Sequence, residues 1–161
     1  MVVNFFIKKE NMKKILFATL ATMALSASAV EVGVNGLRDY SGTADRTGYG
    51  VTVGEKFGKF GAEVGYNRFT QGSNDQDRYS LVGSYDVTKV GPVTLAVKAG
   101  VAYLDNQTGV NGYAVTAGVG ASVPVYKNLA ATVDYRRQEG QSRVNAFDGN
   151  QVAVGLKYSF N

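Results

Sequence analysis

The chain has 161 residues and contains neither Cys nor His. The absence of Cys excludes disulfide scaffolds and thiolate metal sites, and the absence of His removes the commonest catalytic base. The formal net charge of +4 is concentrated in residues 1–29, which carry +3, so that residues 30–161 hold 13 basic and 12 acidic groups. This nearly neutral balance gives no reason to propose nucleic-acid binding.

Residues 12–29 have the order of a secretory signal peptide. Two lysines follow Met12, an apolar run covers about 15–25, and small residues lead to Ala-Ser-Ala at 27–29. We therefore predict a signal peptide over 1–29, with the true start at Met12, cleavage after Ala29 and a mature domain over 30–161. The apolar run is shorter than the roughly 20 residues that a membrane-spanning helix needs.

After residue 29 the sequence alternates between apolar and other side chains with a period of two, which is typical of strands with one apolar face. In chain order the eight apolar faces lie within 30–34, 49–57, 60–66, 79–87, 93–103, 113–125, 129–135 and 152–160. Short turns are predicted at 58–59, 89–92 and 127–128, and longer polar loops at 41–47, 70–77, 105–111 and 139–150.

This layout predicts an all-β fold, namely an eight-stranded antiparallel up-and-down transmembrane β-barrel. Closure of the barrel leaves no strand edge unpaired, and it requires the last strand to pair with the first. That pairing brings Lys157 within reach of Glu31. An even strand number also puts both termini at the end with the short turns.

The aromatic residues indicate which face points outward. They fall at the strand ends on the apolar face, with mainly Val, Ala and Leu between them. Seven lie near the long loops: Tyr40, Tyr49, Tyr66, Tyr79, Tyr103, Tyr113 and Tyr135. Five lie near the short turns: Phe57, Phe60, Tyr85, Tyr158 and Phe160. Two girdles around an aliphatic band are typical of an outer surface that crosses two lipid interfaces.

Five charged residues fall on the opposite, glycine-rich face, each about four to seven residues from the end with the short turns. They are Glu63, Lys98, Asp134, Arg136 and Lys157. An eight-stranded barrel is just wide enough inside for side chains, and buried charges persist when they are paired. We predict a structural salt-bridge network, and we prefer it to catalytic acid/base pairs because the sequence shows no arrangement of nucleophile and base.

Three arginines on the apolar face, Arg38, Arg68 and Arg137, lie about eight residues into their strands. We expect them to emerge together around the outer girdle. Because Arg binds phosphate with a bidentate fork, one hypothesis is that they contact lipopolysaccharide phosphates. The alternative is ordinary snorkelling of long side chains at the membrane interface.

Asn74, Asp75 and Asp77 form a cluster of oxygen ligands that Ca²⁺ could bind, but the segment lacks the Gly and Glu positions of an EF-hand loop. We expect a solvated polar loop there. No catalytic, cofactor-binding or metal-binding residue is predicted.

With its leader, its eight alternating segments and the terminal segment from Lys157 to Phe160, the chain resembles the small eight-stranded outer-membrane barrels. That family includes the barrel domain of outer membrane protein A, OmpX, Ail and the opacity proteins. The resemblance implies a Gram-negative outer membrane and assembly by the barrel-assembly machinery, which reads a terminal aromatic residue. Here Asn161 follows Phe160, a departure of one residue. Known members act in membrane integrity, adhesion and serum resistance, and the enzymes among them use a catalytic His.

We therefore expect a monomeric, non-catalytic outer-membrane protein with a structural or adhesin-like role and no cofactor. Its expected partners are outer-membrane lipid, lipopolysaccharide, the assembly machinery and a host or surface ligand met through the long loops. The segment from Val144 to Phe147 is the best adhesive candidate, and a loop that packs on itself is the favoured alternative there. Two alternatives remain. A small porin-like channel would conduct ions, and a soluble lipocalin-like barrel would need apolar residues inside.

Overall fold

A computed structural model describes residues 29–41, 44–72, 74–106, 109, 111–140 and 148–160. They form eight strands: β1 (Ala29–Ser41), β2 (Ala44–Phe57), β3 (Phe60–Gln71), β4 (Asn74–Val90), β5 (Val93–Asn106), β6 (Asn111–Tyr126), β7 (Leu129–Gly140) and β8 (Gly149–Phe160). Consecutive strands pair antiparallel, and β8 pairs with β1 to close the sheet. The predicted barrel is confirmed. Apart from Ala29, which begins β1, the predicted signal peptide lies outside the described residues.

The two ends of the barrel differ. Turns at 58–59, 91–92 and 127–128 lie at one end together with the first residue of β1 and the last of β8, and we call this the turn end. The opposite end is the loop end. Gly58 and Gly91 have φ values of 61° and 59°, a left-handed conformation that favours glycine and allows the chain to reverse within two residues. Across the described residues, no helix is long and apolar enough to cross a membrane.

The register of the strands sets their tilt. Partners followed from Glu31 around all eight strands lead back to β1 at Ser41, ten residues further along. A stagger of this size requires the strands to tilt by about 35–45° from the barrel axis. Two residues at the same height on neighbouring strands are therefore not direct partners, but are displaced from direct pairing by slightly more than one residue.

Two of the four predicted polar loops are largely strand. Most of 41–47 and 70–77, and the edges of 105–111 and 139–150, continue the antiparallel ladder, so their interpretation as loops was wrong there. Asp39, for example, pairs with Arg46 across β1 and β2. Apolar alternation ends before the strands do, because backbone pairing continues there between polar side chains. The adhesive candidates Val144 and Phe147 lie outside the described residues.

The apolar side chains face outward. Val34, Val101 and Val154 are 55, 50 and 57% exposed, whereas the interior residue Arg78 is only 2% exposed. A soluble protein buries its aliphatic residues and exposes its charges. The alternative of a soluble barrel with an apolar interior is therefore wrong for this structure.

Aromatic rings pair across strands at both ends of the aliphatic band. At the loop end, the ring centroids of Tyr66 and Tyr79 are 5.3 Å apart, and those of Tyr103 and Tyr113 are 5.2 Å apart. At the turn end, Phe60 and Tyr85 form the same kind of pair, with 4.9 Å between ring centroids. Such contacts favour neighbouring placement on one face of a sheet, and they form the two predicted girdles.

Interior glycines make room for larger side chains in the narrow barrel. A Cβ atom added to Gly120 would overlap the Asp134 carboxylate and would lie 3.0 Å from Cε of Lys98. On the same strand, a Cβ atom on Gly118 would overlap the backbone of β7. The glycine-rich face therefore provides the space that the charged side chains of β5 and β7 occupy.

Candidate functional site

The five charged residues predicted inside the barrel lie together. Nζ of Lys98 is 2.6 Å from Oδ1 of Asp134, and Nζ of Lys157 is 2.7 Å from Oε2 of Glu63. Arg136 joins these two pairs, because its Nη2 lies 3.7 Å from Glu63 and 3.5 Å from Asp134. We call these five residues the interior charge layer.

Closure of the barrel adds Glu31 to the interior charge layer. Its Oε2 is 3.6 Å from Nζ of Lys157, and its Oε1 accepts a hydrogen bond of 3.3 Å from the Ser159 hydroxyl. With Glu31 included, three cationic and three anionic side chains face one another. Lys56 and Asp86, whose charged atoms are 2.5 Å apart, form another ion pair on the interior face, and sequence reasoning missed it.

The chemistry of the interior charge layer is mutual neutralisation. Its five side chains are only 10–22% exposed, so each charge is largely removed from water. Both carboxylates of the layer already face more than one cation, which leaves neither of them placed as a free base. Around it lies a cavity of about 80 Å³, lined also by Lys56 and Asp86, which has room for a few water molecules.

A second buried ion pair, which the sequence analysis did not predict, lies towards the loop end. Nη2 of Arg78 donates a hydrogen bond of 2.8 Å to Oδ2 of Asp39, and the guanidinium carbon is 4.4 Å from the centre of the Phe69 ring. Nearby, Nη1 of Arg46 donates a hydrogen bond of 2.9 Å to Oε1 of Gln76. Asp39 and Arg78 continue the inward side of the alternation in β1 and β4. The alternation could therefore have predicted these interior residues, but it was not extended this far because the neighbouring segments were interpreted as loops.

Apolar side chains pack part of the interior at this height, beside buried polar residues such as Gln151, which pairs with Asp39 in the ladder. One cluster consists of Leu37, Phe69 and Ala153, and another of Ala102, Leu104 and Ala114. Phe69 and Leu104 have no exposed surface. Together with the Arg78–Asp39 pair, these clusters pack the loop half of the barrel.

The three outer arginines point outward, and each faces a carboxylate. Arg38 Nη2 is 3.1 Å from Asp45, and Arg68 Nη2 is 2.5 Å from Asp75. Arg137 Nε is 3.1 Å from Glu139, with both of these side chains more than 60% exposed.

The structure places the outer arginines at a similar height but not in mutual contact. They lie on β7, β1 and β3, and one strand separates β1 from each of the other two. The paired residues lead from Arg38 across β2 to Thr70 on β3, which is two residues nearer the loop end than Arg68. The stagger of the strands offsets this difference, so that Arg38 and Arg68 lie at a similar height. The predicted emergence at one level therefore corresponds to three separate positions along the outer girdle.

The two aspartates of the predicted polar loop lie on β4 instead. Besides the contact of Asp75 with Arg68, Oδ1 of Asp77 accepts a hydrogen bond of 2.8 Å from the Tyr66 hydroxyl. Both carboxylates thus bind neighbouring side chains of β3. The side chain of Asn74 lies outside the described residues.

Comparisons with known proteins give similarity of fold. Neither a protein-family model nor a curated protein sequence matches the chain. Among solved structures, it is similar to the N-terminal β-barrel domain of Pseudomonas aeruginosa OprF, with a TM-score of 0.67 and 17% identity over 83% of this chain and 98% of that one. Neisserial surface protein A gives 0.62 and 18% over 84% and 98%, and a major outer membrane protein from Thermus thermophilus gives 0.60 and 18% over 84% and 100%.

Proposed function

We propose that this chain, which has the fold of the small eight-stranded outer-membrane barrels, is a non-catalytic integral protein of a Gram-negative outer membrane. The observation that carries the proposal is the inverted distribution of side chains. Aliphatic residues such as Val34 and Val154 are more than half exposed on the outside, while ion pairs such as Lys98–Asp134 are enclosed. Lipid is the solvent in which this distribution is stable, since each strand of the closed sheet pairs with a strand on both sides.

The loop end is the side of the proposed protein that faces the exterior. Polar side chains continue there beyond the girdle of tyrosines, and the turns and both ends of the described chain lie on the opposite side, facing the periplasm. The proposed role is structural support of the membrane or contact with a host or surface ligand at the loop end. Such contact involves the projecting strand ends as well as the connections between them.

The first experiment tests membrane integration. The full-length sequence is expressed in a Gram-negative host, the membranes are separated, and the protein is run on a gel with and without boiling. We expect it in the outer-membrane fraction, extractable only with detergent, and with a mobility that changes on boiling. A protein that stays in solution without detergent would contradict the proposal.

The same preparation tests the proposed processing. N-terminal sequencing of the purified protein is expected to begin at Val30, because the Ala-Ser-Ala order at 27–29 is a typical cleavage site. A first residue at Val2 would contradict cleavage.

For assembly, we propose that the barrel-assembly machinery recognises the last strand, where Tyr158 and Phe160 are 45 and 55% exposed on the outer face at the turn end.

We further propose that the outer arginines bind lipopolysaccharide phosphates. Each exposed ion pair is worth little in water, so a phosphate can replace the carboxylate that faces the guanidinium. Replacing Arg38, Arg68 and Arg137 together with Gln is expected to reduce the lipopolysaccharide that co-purifies with the protein. Unchanged co-purification would mean that the arginines only extend to the interface.

A matched control removes the opposite charges. Replacing Asp45, Asp75 and Glu139 with the corresponding amides leaves the three guanidinium groups free, so lipopolysaccharide retention is expected to rise. A fall in retention for this second variant would contradict a phosphate contact at the arginines.

A further inference from the structure

The turn end has a ring of basic residues. It has three exposed lysines, Lys59 and Lys127 within two of the turns and Lys89 near the end of β4, and we call this set the basic rim. The segments 57–60, 88–93 and 125–130 contain no acidic residue. This differs from the loop end, where each outer arginine faces a carboxylate. The basic rim therefore presents positive charge that its own turn segments do not neutralise.

An apolar groove lies on the outer face above two of these turns. Its volume is about 490 Å³, within the range of about 300–1,000 Å³ that is usual for small-molecule sites. Its lining includes Val87, Thr88, Leu95, Ala121, Val133 and Tyr135. We call it the lipid-face groove, and it extends over β4, β5, β6 and β7.

Small residues and an irregular strand shape the lipid-face groove. Ala121 lies between Leu95 and Val133 in the ladder, so its short side chain leaves a depression between two larger ones. At the lower edge, the register shifts between Asp86 and Thr88, which leaves Val87 outside the regular pairing. The groove thus starts next to the end of β4, whereas Lys89 pairs with Thr94 and lies on the inward face of the sheet.

We propose that the lipid-face groove and the basic rim together bind one anionic phospholipid of the periplasmic leaflet. An acyl chain lies in the groove, and the headgroup phosphate lies near Lys127, whose Nζ is 5.5 Å from the centre of the exposed Tyr126 ring on the outer face. This inference rests on the proposed function, because it needs the barrel to be embedded with its turn end at the periplasmic surface.

Two observations favour a phospholipid over other occupants. The concave shape and apolar lining fit a single flexible chain, whereas a second barrel would present a convex surface of its own. The positive charge lies at the turn end, so the phosphate must come from the leaflet on that side, and lipopolysaccharide headgroups at the loop end are too far away. The positive charge of the basic rim and the shape of the lipid-face groove therefore both favour one anionic phospholipid.

The headgroup contact is tested on protein purified from cells that express the full-length sequence. Native mass spectrometry in a mixture of phosphatidylglycerol and phosphatidylethanolamine of equal acyl composition measures the ratio of bound lipids. We expect phosphatidylglycerol to be preferred, and the variant K127Q to reduce this preference by about fivefold. The control R137Q removes the same charge at the loop end and is expected to keep the preference.

The groove is tested with two substitutions on the outward face of β6. Ala121→Phe fills the lipid-face groove and is expected to lower the occupancy of both lipids by at least a factor of three. Ala117→Phe adds the same side chain four residues away, at an exposed position outside the groove lining, and is expected to leave occupancy unchanged. Equal effects of the two substitutions would overturn the assignment of the groove.

The two proposals fail in different ways. If the protein is not found in the outer-membrane fraction or lacks heat-dependent gel mobility, the proposed function is wrong. If it integrates normally but binds both headgroups equally, or if K127Q and R137Q behave alike, only the phospholipid site is wrong.

Discussion

At the scale of single residues, the barrel depends on charge pairing between strands that are far apart in sequence. Arg78 and Asp39 are separated by 39 residues, and Glu31 and Ser159 by 128, yet each pair is in contact inside the barrel. A buried ion pair adds little net stability compared with apolar packing, but removing one partner leaves an uncompensated charge in a site of low polarity. The interior charge layer is therefore sensitive to single substitutions.

Glu63→Ala is expected to lower the free energy of unfolding by about 3–5 kcal/mol, because it removes the carboxylate that faces Lys157 and Arg136. Urea unfolding of the protein in lipid vesicles measures this change. Glu139→Ala, which removes the exposed partner of Arg137, is the control and is expected to change stability by less than about 0.5 kcal/mol. Similar losses for both variants would show that Glu63 is not held in a charge network.

At the scale of strands, the sequence predicts the faces better than the strand ends. The period of two placed Lys98, Asp134 and the other interior residues on the face that the structure encloses. This succeeds because successive side chains of a strand point alternately to the inside and the outside of the barrel. The strand ends at the loop end were predicted too short, since their polar residues carry no apolar alternation although they pair. The Arg78–Asp39 contact also needed the register between four strands, which local patterns do not contain.

Position along a strand should decide the cost of a charge on the outer face. Val34→Arg places a guanidinium in the middle of the aliphatic band and is expected to destabilise the protein by about 2–4 kcal/mol. Thr47→Arg, on the same outward face but beyond the tyrosine girdle, is expected to cost about 0–1 kcal/mol. Unfolding in lipid vesicles compares the two variants. Equal costs would contradict the membrane boundaries assigned to the outer surface.

At the scale of the whole molecule, closure of the sheet has two structural consequences. Closure through β1 and β8 leaves no exposed strand edge, and it also brings Lys157 to Glu31 so that the last strand contributes to the interior charge layer. The stagger of ten residues over eight strands gives a narrow interior that side chains fill. The outward aliphatic side chains remain exposed for contact with lipid, and the inward side chains pack against one another.

This packing argues against the porin-like alternative. Going from the loop end inward, an ion would meet the fully buried side chains of Phe69 and Leu104 together with the Arg78–Asp39 pair, and then the interior charge layer. The cavity of about 80 Å³ near the turn end holds a few water molecules but is bounded by these side chains. We therefore expect no regular current steps in planar bilayers that contain the protein, with heat-dependent gel mobility of the same sample as the control for correct folding. Reproducible steps of one size would contradict this expectation, because they require the packed interior to open into a continuous water path.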